Sequence, residues 1–255
     1  IINLPEANLS IQTNQLMQIL AGGLTALSEA GVKLTGGHTS EGGALSVGFS
    51  VTGHTNQRLP VVPVNAASGN DLVLVLTKPL GTGVIMAGHM QLLAKAQWVD
   101  DAIQKMAVSN QQAATHFLTN GVLGATDITG FGLARHAQNL SLRLGANGCR
   151  LDLFSLPLLD GASTLLSSGI RSSLHDQNRA AVQIDASGLN NIAGAQFDAH
   201  IEMLFDPQTS GGLLGVFPRD NANRLVATLH KGGQTAAIIG SLDFTNVGVH
   251  LTGNM

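Results

Sequence analysis

The 255-residue sequence is poor in several things, and each shortage excludes something. A single cysteine, Cys149, rules out an intrachain disulfide and fits a reducing, cytosolic compartment best. Charged residues make up only 11%, and net charge is −3 from 13 basic and 16 acidic side chains, with no basic stripe. That argues against disorder, coiled coil and nucleic acid as a partner. No apolar run reaches the roughly 18 residues of a membrane helix, and no signal peptide is visible. Tyrosine is absent and aromatics total 4%. What is present is glycine, 31 residues, in a chain that is 44% hydrophobic. The pairing implies many tight turns and a core of Ala, Leu and Val.

The pattern mixes helices and strands throughout, an α/β to α+β fold. Ile1–Leu4 reads as a strand. A chain opening inside a strand, on Ile rather than Met, reads as a piece of a longer polypeptide. Residues 10–30 have helical apolar spacing, with Ser10 as N-cap and Gly31 as terminator. Val32–Thr35 and Ala44–Thr52 read as strands. Residues 55–70, with Pro60 and Pro63, read as a domain boundary. Leu72–Thr77 is a continuous apolar strand, suited to a sheet covered on both faces. Helices are expected at 81–95, 99–119, 133–140 and 222–230. An extended stretch is expected at 151–158, a short helix at 160–166 and a polar loop at 168–180. Further strands are expected at 203–205, 213–217, 236–242 and 247–251.

Three segments carry candidate chemistry. In Gly36-Gly37-His38 the backbone can approach a ligand and offer N–H groups to phosphate, or the glycines can simply make a turn of positive φ. Thr126-Asp127-Ile128-Thr129-Gly130-Phe131-Gly132 brings one carboxylate to a strand end before a helix. Asp127 can hold Mg²⁺ there, or serve as an Asx-turn or N-cap residue. Asp206-Pro207-Gln208-Thr209-Ser210-Gly211-Gly212 is a shaped cleft loop or a rigid connector, and the connector is favoured. A Walker-type loop and zinc spacings are absent. After Leu72–Thr77, Gly81-Thr82-Gly83 imitates a dinucleotide loop, but Met86 occupies the third glycine's place. Cys149 before an apolar strand reads as a small core residue.

Together, in order and spacing, these loops resemble the selenophosphate synthetase family, as does Thr77-Lys78-Pro79-Leu80-Gly81-Thr82-Gly83. The resemblance covers essentially the whole chain. It implies an aminoimidazole ribonucleotide synthetase-like two-domain fold, with residues 1–62 the remainder of a truncated N-terminal ATP-binding and dimerisation domain. Residues 67–255 would be the C-terminal domain, a mixed sheet packed with helices. The implied reaction takes ATP, hydrogen selenide and water to selenophosphate, AMP and phosphate, with Mg²⁺ as cofactor and a homodimer as the assembly. Gly36, Gly37 and His38 match the family's ATP-contacting residues, and Asp127 matches a metal-binding aspartate. Thr129, His136, Asp206 and Thr209 receive no role. The family's reactive Cys or selenocysteine, its Lys and its further aspartates precede the point where this chain opens, so no catalytic residue is assigned here. Glu41-Gly42-Gly43 resembles variants fused behind an oxidoreductase-like domain.

Overall fold

The computed structural model describes residues 1–54, 71–189 and 195–253. The boundary read at 55–70 lies outside them. The chain divides into two compact units, Ile1–Arg58 and Leu59–Met255.

In the first unit, strand β1 (Ile2–Pro5) leads into helix α1 (Leu9–Glu29). Strands β2 (Thr39–Gly42) and β3 (Ser46–Val47) flank β1, parallel and antiparallel respectively. The cap of α1 is Asn8, whose side chain accepts from the Ser10 amide, rather than Ser10 itself. Gly31, at φ +66, follows the helix as read. Val32–Thr35 forms no strand, and of Ala44–Thr52 only Ser46–Val47 is strand, continued by Gly48, which exchanges backbone hydrogen bonds with Ile1. Alternation alone cannot supply the partner strand that a ladder requires. Much of this unit's apolar surface is exposed, including Met17, Leu24, Leu34, Phe49 and Val51.

The second unit begins with β4 (Leu72–Leu76), followed by α2 (Thr82–Met90), α3 (Ala96–Ala107) and α4 (Gln111–Thr119). Then come β5 (Gly124–Asp127), α5 (Gly132–Arg143), β6 (Gly148–Asp152), α6 (Ala162–Ser167), α7 (His175–Ala180) and β7 (Ile184–Asp185). It closes with α8 (Ala195–Met203), β8 (Leu213–Pro218), α9 (Arg219–Lys231), β9 (Ala237–Asp243) and β10 (Gly248–Thr252). The seven strands form one mixed sheet in the order β5-β8-β4-β9-β6-β10-β7. The β5-β8-β4-β9-β6 run is antiparallel, and β6-β10-β7 is parallel.

All five residues of β4 are buried. Leu72, Leu74 and Leu76 enter the larger core with α2, α3, α5 and α6. Val73 and Val75 enter a second core with Phe117, Phe217, Leu225 and Leu229, beneath α4 and α9. The period of two along a strand assigns alternate residues to opposite faces, so a continuous apolar strand means two covered faces, as read.

Three other expectations are corrected. The helix expected at 99–119 is two helices, because Val108 turns to extended backbone and its carbonyl accepts from Lys78 Nζ at 2.6 Å. The strand expected at 203–205 is instead the end of α8 and a turn, with Phe205 N donating to Glu202 O. A short apolar run does not separate the two by pattern. The polar loop at 168–180 contains α7, which buries His175 and Asn178. No described helix is long and apolar enough to cross a membrane.

A buried carboxylate fastens the β9–β10 turn. Asp243 Oδ1 accepts from Thr245 N (2.8 Å), Thr245 Oγ1 (2.7 Å) and Asn246 N (3.0 Å), and Oδ2 from Arg150 Nε (2.9 Å). Burial pushes this carboxyl up, but the donors of Thr245 and Asn246 outweigh it and hold it well below the usual carboxylate range. A depressed native value stabilises the fold at neutral pH, and the gain is lost as pH falls below about 4, where the unfolded aspartate protonates. Asp243→Asn is therefore expected to unfold at lower urea than wild type at pH 7, by about 2 kcal/mol. The gap should narrow steadily in the same titration carried toward pH 3.

Candidate functional site

In the first unit Gly36, Gly37 and His38 lie exposed on the segment that leads into β2. The His38 carbonyl accepts from Ile2 N at 2.9 Å, which fixes the end of the segment on β1. All three residues line a cavity of about 790 Å³ whose other wall includes Ile19, Leu24 and Phe49. Neither glycine has a positive φ. A Cβ built on either would meet nothing within 4 Å. The turn geometry thus does not require glycine at 36 or 37, and open backbone faces the cavity.

In the second unit β5 ends at Asp127, opposite Leu213 of β8. The Asp127 side chain is exposed and makes no ion pair among the described residues. It is not a helix cap: Phe131 holds that position on α5, with no side-chain bond. The loop after Asp127 is tied down at each step. Ile128 is fully buried, and its amide donates to Gly212 O at 2.9 Å. Thr129 O accepts from Gly132 N and from Gln208 N, both at 3.1 Å.

The Thr129 amide donates to His136 Nε2 at 3.2 Å. A backbone N–H can only donate, so Nε2 is an acceptor and the neutral ring carries its proton on Nδ1. Burial lowers the His136 pKa, and the nearby Asp127 carboxylate acts in the opposite direction. The Phe131 ring, largely exposed, lies 6.2 Å from the His136 ring.

The Asp206–Gly212 loop turns its polar side chains inward. Asp206 and Gln208 are buried, whereas Thr209 and Ser210 are exposed. Gly81, the residue at the cap position of α2, has no side chain to satisfy the helix's first amides. Gln208 Oε1 does this, accepting from Gly81 N (3.0 Å) and Thr82 N (3.3 Å). Gln208 Nε2 donates to Asp206 Oδ2 at 3.0 Å. Asp206 Oδ1 is buried near the Gly83 and Val84 amides of the same turn but forms no hydrogen bond of standard geometry. Burial pushes the Asp206 carboxyl up to about 7, while the Val84 amide, Gln208 and the Gly83 amide pull it down. Lys78 Nζ donates to Ser210 O at 2.9 Å, and Asn110 Nδ2 to Gly211 O at 2.9 Å. These bonds support the connector reading.

Lys78, Gln208 and Asn178, which hold these loops, were not singled out by pattern. A buried Asn inside a polar run carries no local signal, and Gln208 acts on a helix 126 residues away. Burial pushes the Cys149 thiol up to about 12, so it is protonated at neutral pH, consistent with a core residue. The described residues contain no cluster of three or more metal-ligating side chains.

Residues 69–248 match the family described as AIR synthase related protein, C-terminal domain. The chain is 35% identical over 235 residues to a protein of Geobacter sp. (strain M21) named selenide, water dikinase, covering 92% of this chain and 65% of that protein. A protein of the same name from Porphyromonas gingivalis (strain ATCC 33277) is 36% identical over 234 residues, covering 90% and 64%. The chain thus spans just under two thirds of the length of these relatives. Among solved structures, it is similar to a thiamine-monophosphate kinase from Stenotrophomonas maltophilia K279a, with TM-score 0.66, 16% identity and coverage of 98% and 69%. It is also similar to a hydrogenase maturation protein HypE in complex with ATP, with TM-score 0.63, 15% identity and coverage of 96% and 64%. These likenesses establish the fold.

Two outcomes follow from the loop geometry. A native carboxyl raised from 3.8 to about 7 costs stability as pH climbs between those values, and the cost is constant above them. Asp206→Asn does not titrate, so its melting temperature relative to wild type should rise from pH 4 to pH 7 and then level off. The change corresponds to at most about 4 kcal/mol. At Gly132 (φ +74), an added Cβ would lie 2.8 Å from Leu204 O and 3.0 Å from Phe205 Cα. Gly132→Ala should lose about 2 kcal/mol or more in urea unfolding.

Proposed function

The chain belongs to the AIR synthase-related protein family through its C-terminal domain, and on that footing we propose that the full-length protein makes selenophosphate from ATP, selenide and water. One observation carries the reading. Gly36-Gly37-His38, Thr126–Gly132 and Asp206–Gly212 occur together in a chain 35% identical to proteins named selenide, water dikinase. The products are AMP and phosphate besides selenophosphate.

In this reading Gly36, Gly37 and His38 contact ATP, and their open backbone and cavity support that. Asp127 supplies one ligand to Mg²⁺. An exposed, unpaired carboxylate suits Mg²⁺, which keeps several waters and is held by one or two carboxylates together with substrate phosphates. When bound, the metal would neutralise charge on the phosphates. The chain's own contribution is to hold Asp127 at the end of a rigid strand and to offer N–H groups to the nucleotide. Cys149 takes no part, being buried and protonated. Homodimerisation and a cytoplasmic location belong to the same proposal, supported by the first unit's exposed apolar side chains and the lone cysteine.

The test is product analysis by ³¹P NMR with the full-length protein, ATP, Mg²⁺ and selenide. AMP, phosphate and selenophosphate are expected. ADP as sole nucleotide product would point to another activity of the same fold. Asp127→Ala should lower turnover on the order of 100-fold and raise the Mg²⁺ requirement. With one carboxylate for the metal, the 255 residues alone should form no AMP. Light scattering should give twice the monomer mass.

A further inference from the structure

We infer that Asn178 is a positioning residue that holds the loop after Asp127 against the Asp206–Gly212 loop and so sets the metal affinity of Asp127. The inference rests on the reading of Asp127 as a metal ligand. Asn178 lies on α7 and is 6% exposed. Its Nδ2 donates both hydrogens, to Gly130 O at 2.8 Å and to Phe205 O at 3.0 Å. Two carbonyl partners fix the orientation of the carboxamide, since only its nitrogen can donate. One side chain thereby joins the turn three residues beyond Asp127 to the backbone immediately before Asp206.

The helix bearing Asn178 is itself fixed. His175, 1% exposed, meets the Glu202 carbonyl through Nε2 at 3.1 Å and the Glu202 carboxylate at 3.2 Å. Arg179 pairs with the same carboxylate at 3.1 Å and lies 5.1 Å from the centre of the Phe205 ring. The position of Asn178 is thus set by α8 and Phe205, not by the loop it holds. Without its two donors the Gly130 carbonyl loses the bond from Asn178. The loop then keeps its Ile128–Gly212, Thr129–His136, Thr129–Gln208 and Gly132–Thr129 bonds, but nothing holds the Gly130 carbonyl at its outer turn to α7. An exposed carboxylate at the base of a looser loop is less preorganised for a cation.

The experiment uses the full-length protein, with Mn²⁺ as probe followed by electron paramagnetic resonance, and amide hydrogen exchange measured without metal. Asn178→Leu keeps the volume and removes the donors. Leu229→Ala, in the second core under α9, is the control for general destabilisation. Asn178→Leu should weaken Mn²⁺ binding about tenfold and speed exchange at residues 128–132, with Leu229→Ala changing neither. Equal effects of the two variants, or an unchanged Mn²⁺ affinity in Asn178→Leu, overturn the inference. Asp127→Ala separates the two ideas: if it binds Mn²⁺ as wild type does, the metal reading fails instead. Should Asn178→Leu not fold, wild-type exchange decides. A common protection of 128–132 and 206–212 supports the clamp, and independent rates overturn it.

Discussion

Gln208 is a buried polar residue that satisfies the start of helix α2, and the loops beside that helix are fastened around the contact. Gly81 leaves the helix without a side-chain cap, and Gln208 supplies one from the far end of the sequence. A helix start has several amides without intrahelical partners, and burying them unpaired costs about 1–3 kcal/mol each. The loop must therefore sit against α2. Once it does, Gln208 N reaches Thr129 O, and Gly212 O reaches Ile128 N. The strand end at Asp127 is held by β8, and the loop after it is tied to the residues that cap a different helix.

This explains why the polar loop, read as a cleft loop or a rigid connector with the connector favoured, is largely closed. Gln208 already meets the amides at the start of α2, so the helix has its acceptor from within the protein. The surface left at that edge of the sheet is made by Asp127, Phe131, Thr209 and Ser210, all exposed. On the proposed reading, a rigid interior beneath these exposed groups suits a site whose work is electrostatic, because groups held in advance need no reorganisation when charge develops.

The first unit has a different character. Its three-stranded sheet buries Ile2 and Leu4, and Gln12 is the one buried residue of α1. Glycines 36 and 37 adopt ordinary backbone angles in open surroundings, in contrast to Gly132 and Gly81 of the second unit, which combine positive φ with crowded surroundings. The same residue type thus answers steric demand in one unit and leaves backbone accessible in the other.

Much of the second unit was legible in the residues. The unbroken apolar run of β4 announced a sheet covered on both faces, and apolar periodicity placed α5 and α9. The three loops, in their order and spacing, pointed to the family. These features are local, set by periods of 2 and 3.6 and by turn chemistry. Tertiary structure alone decided the rest. It broke the 99–119 segment by drawing the Val108 carbonyl to Lys78, folded α7 out of a polar stretch, and made a helix end of Met203-Leu204-Phe205. It also decided that Asp206 is buried while Asp127 is exposed, although both begin loops of similar composition. The reason is physical: which polar groups are buried depends on where their partners lie, and Gln208, which holds Asp206, is itself fixed by helix amides more than a hundred residues away.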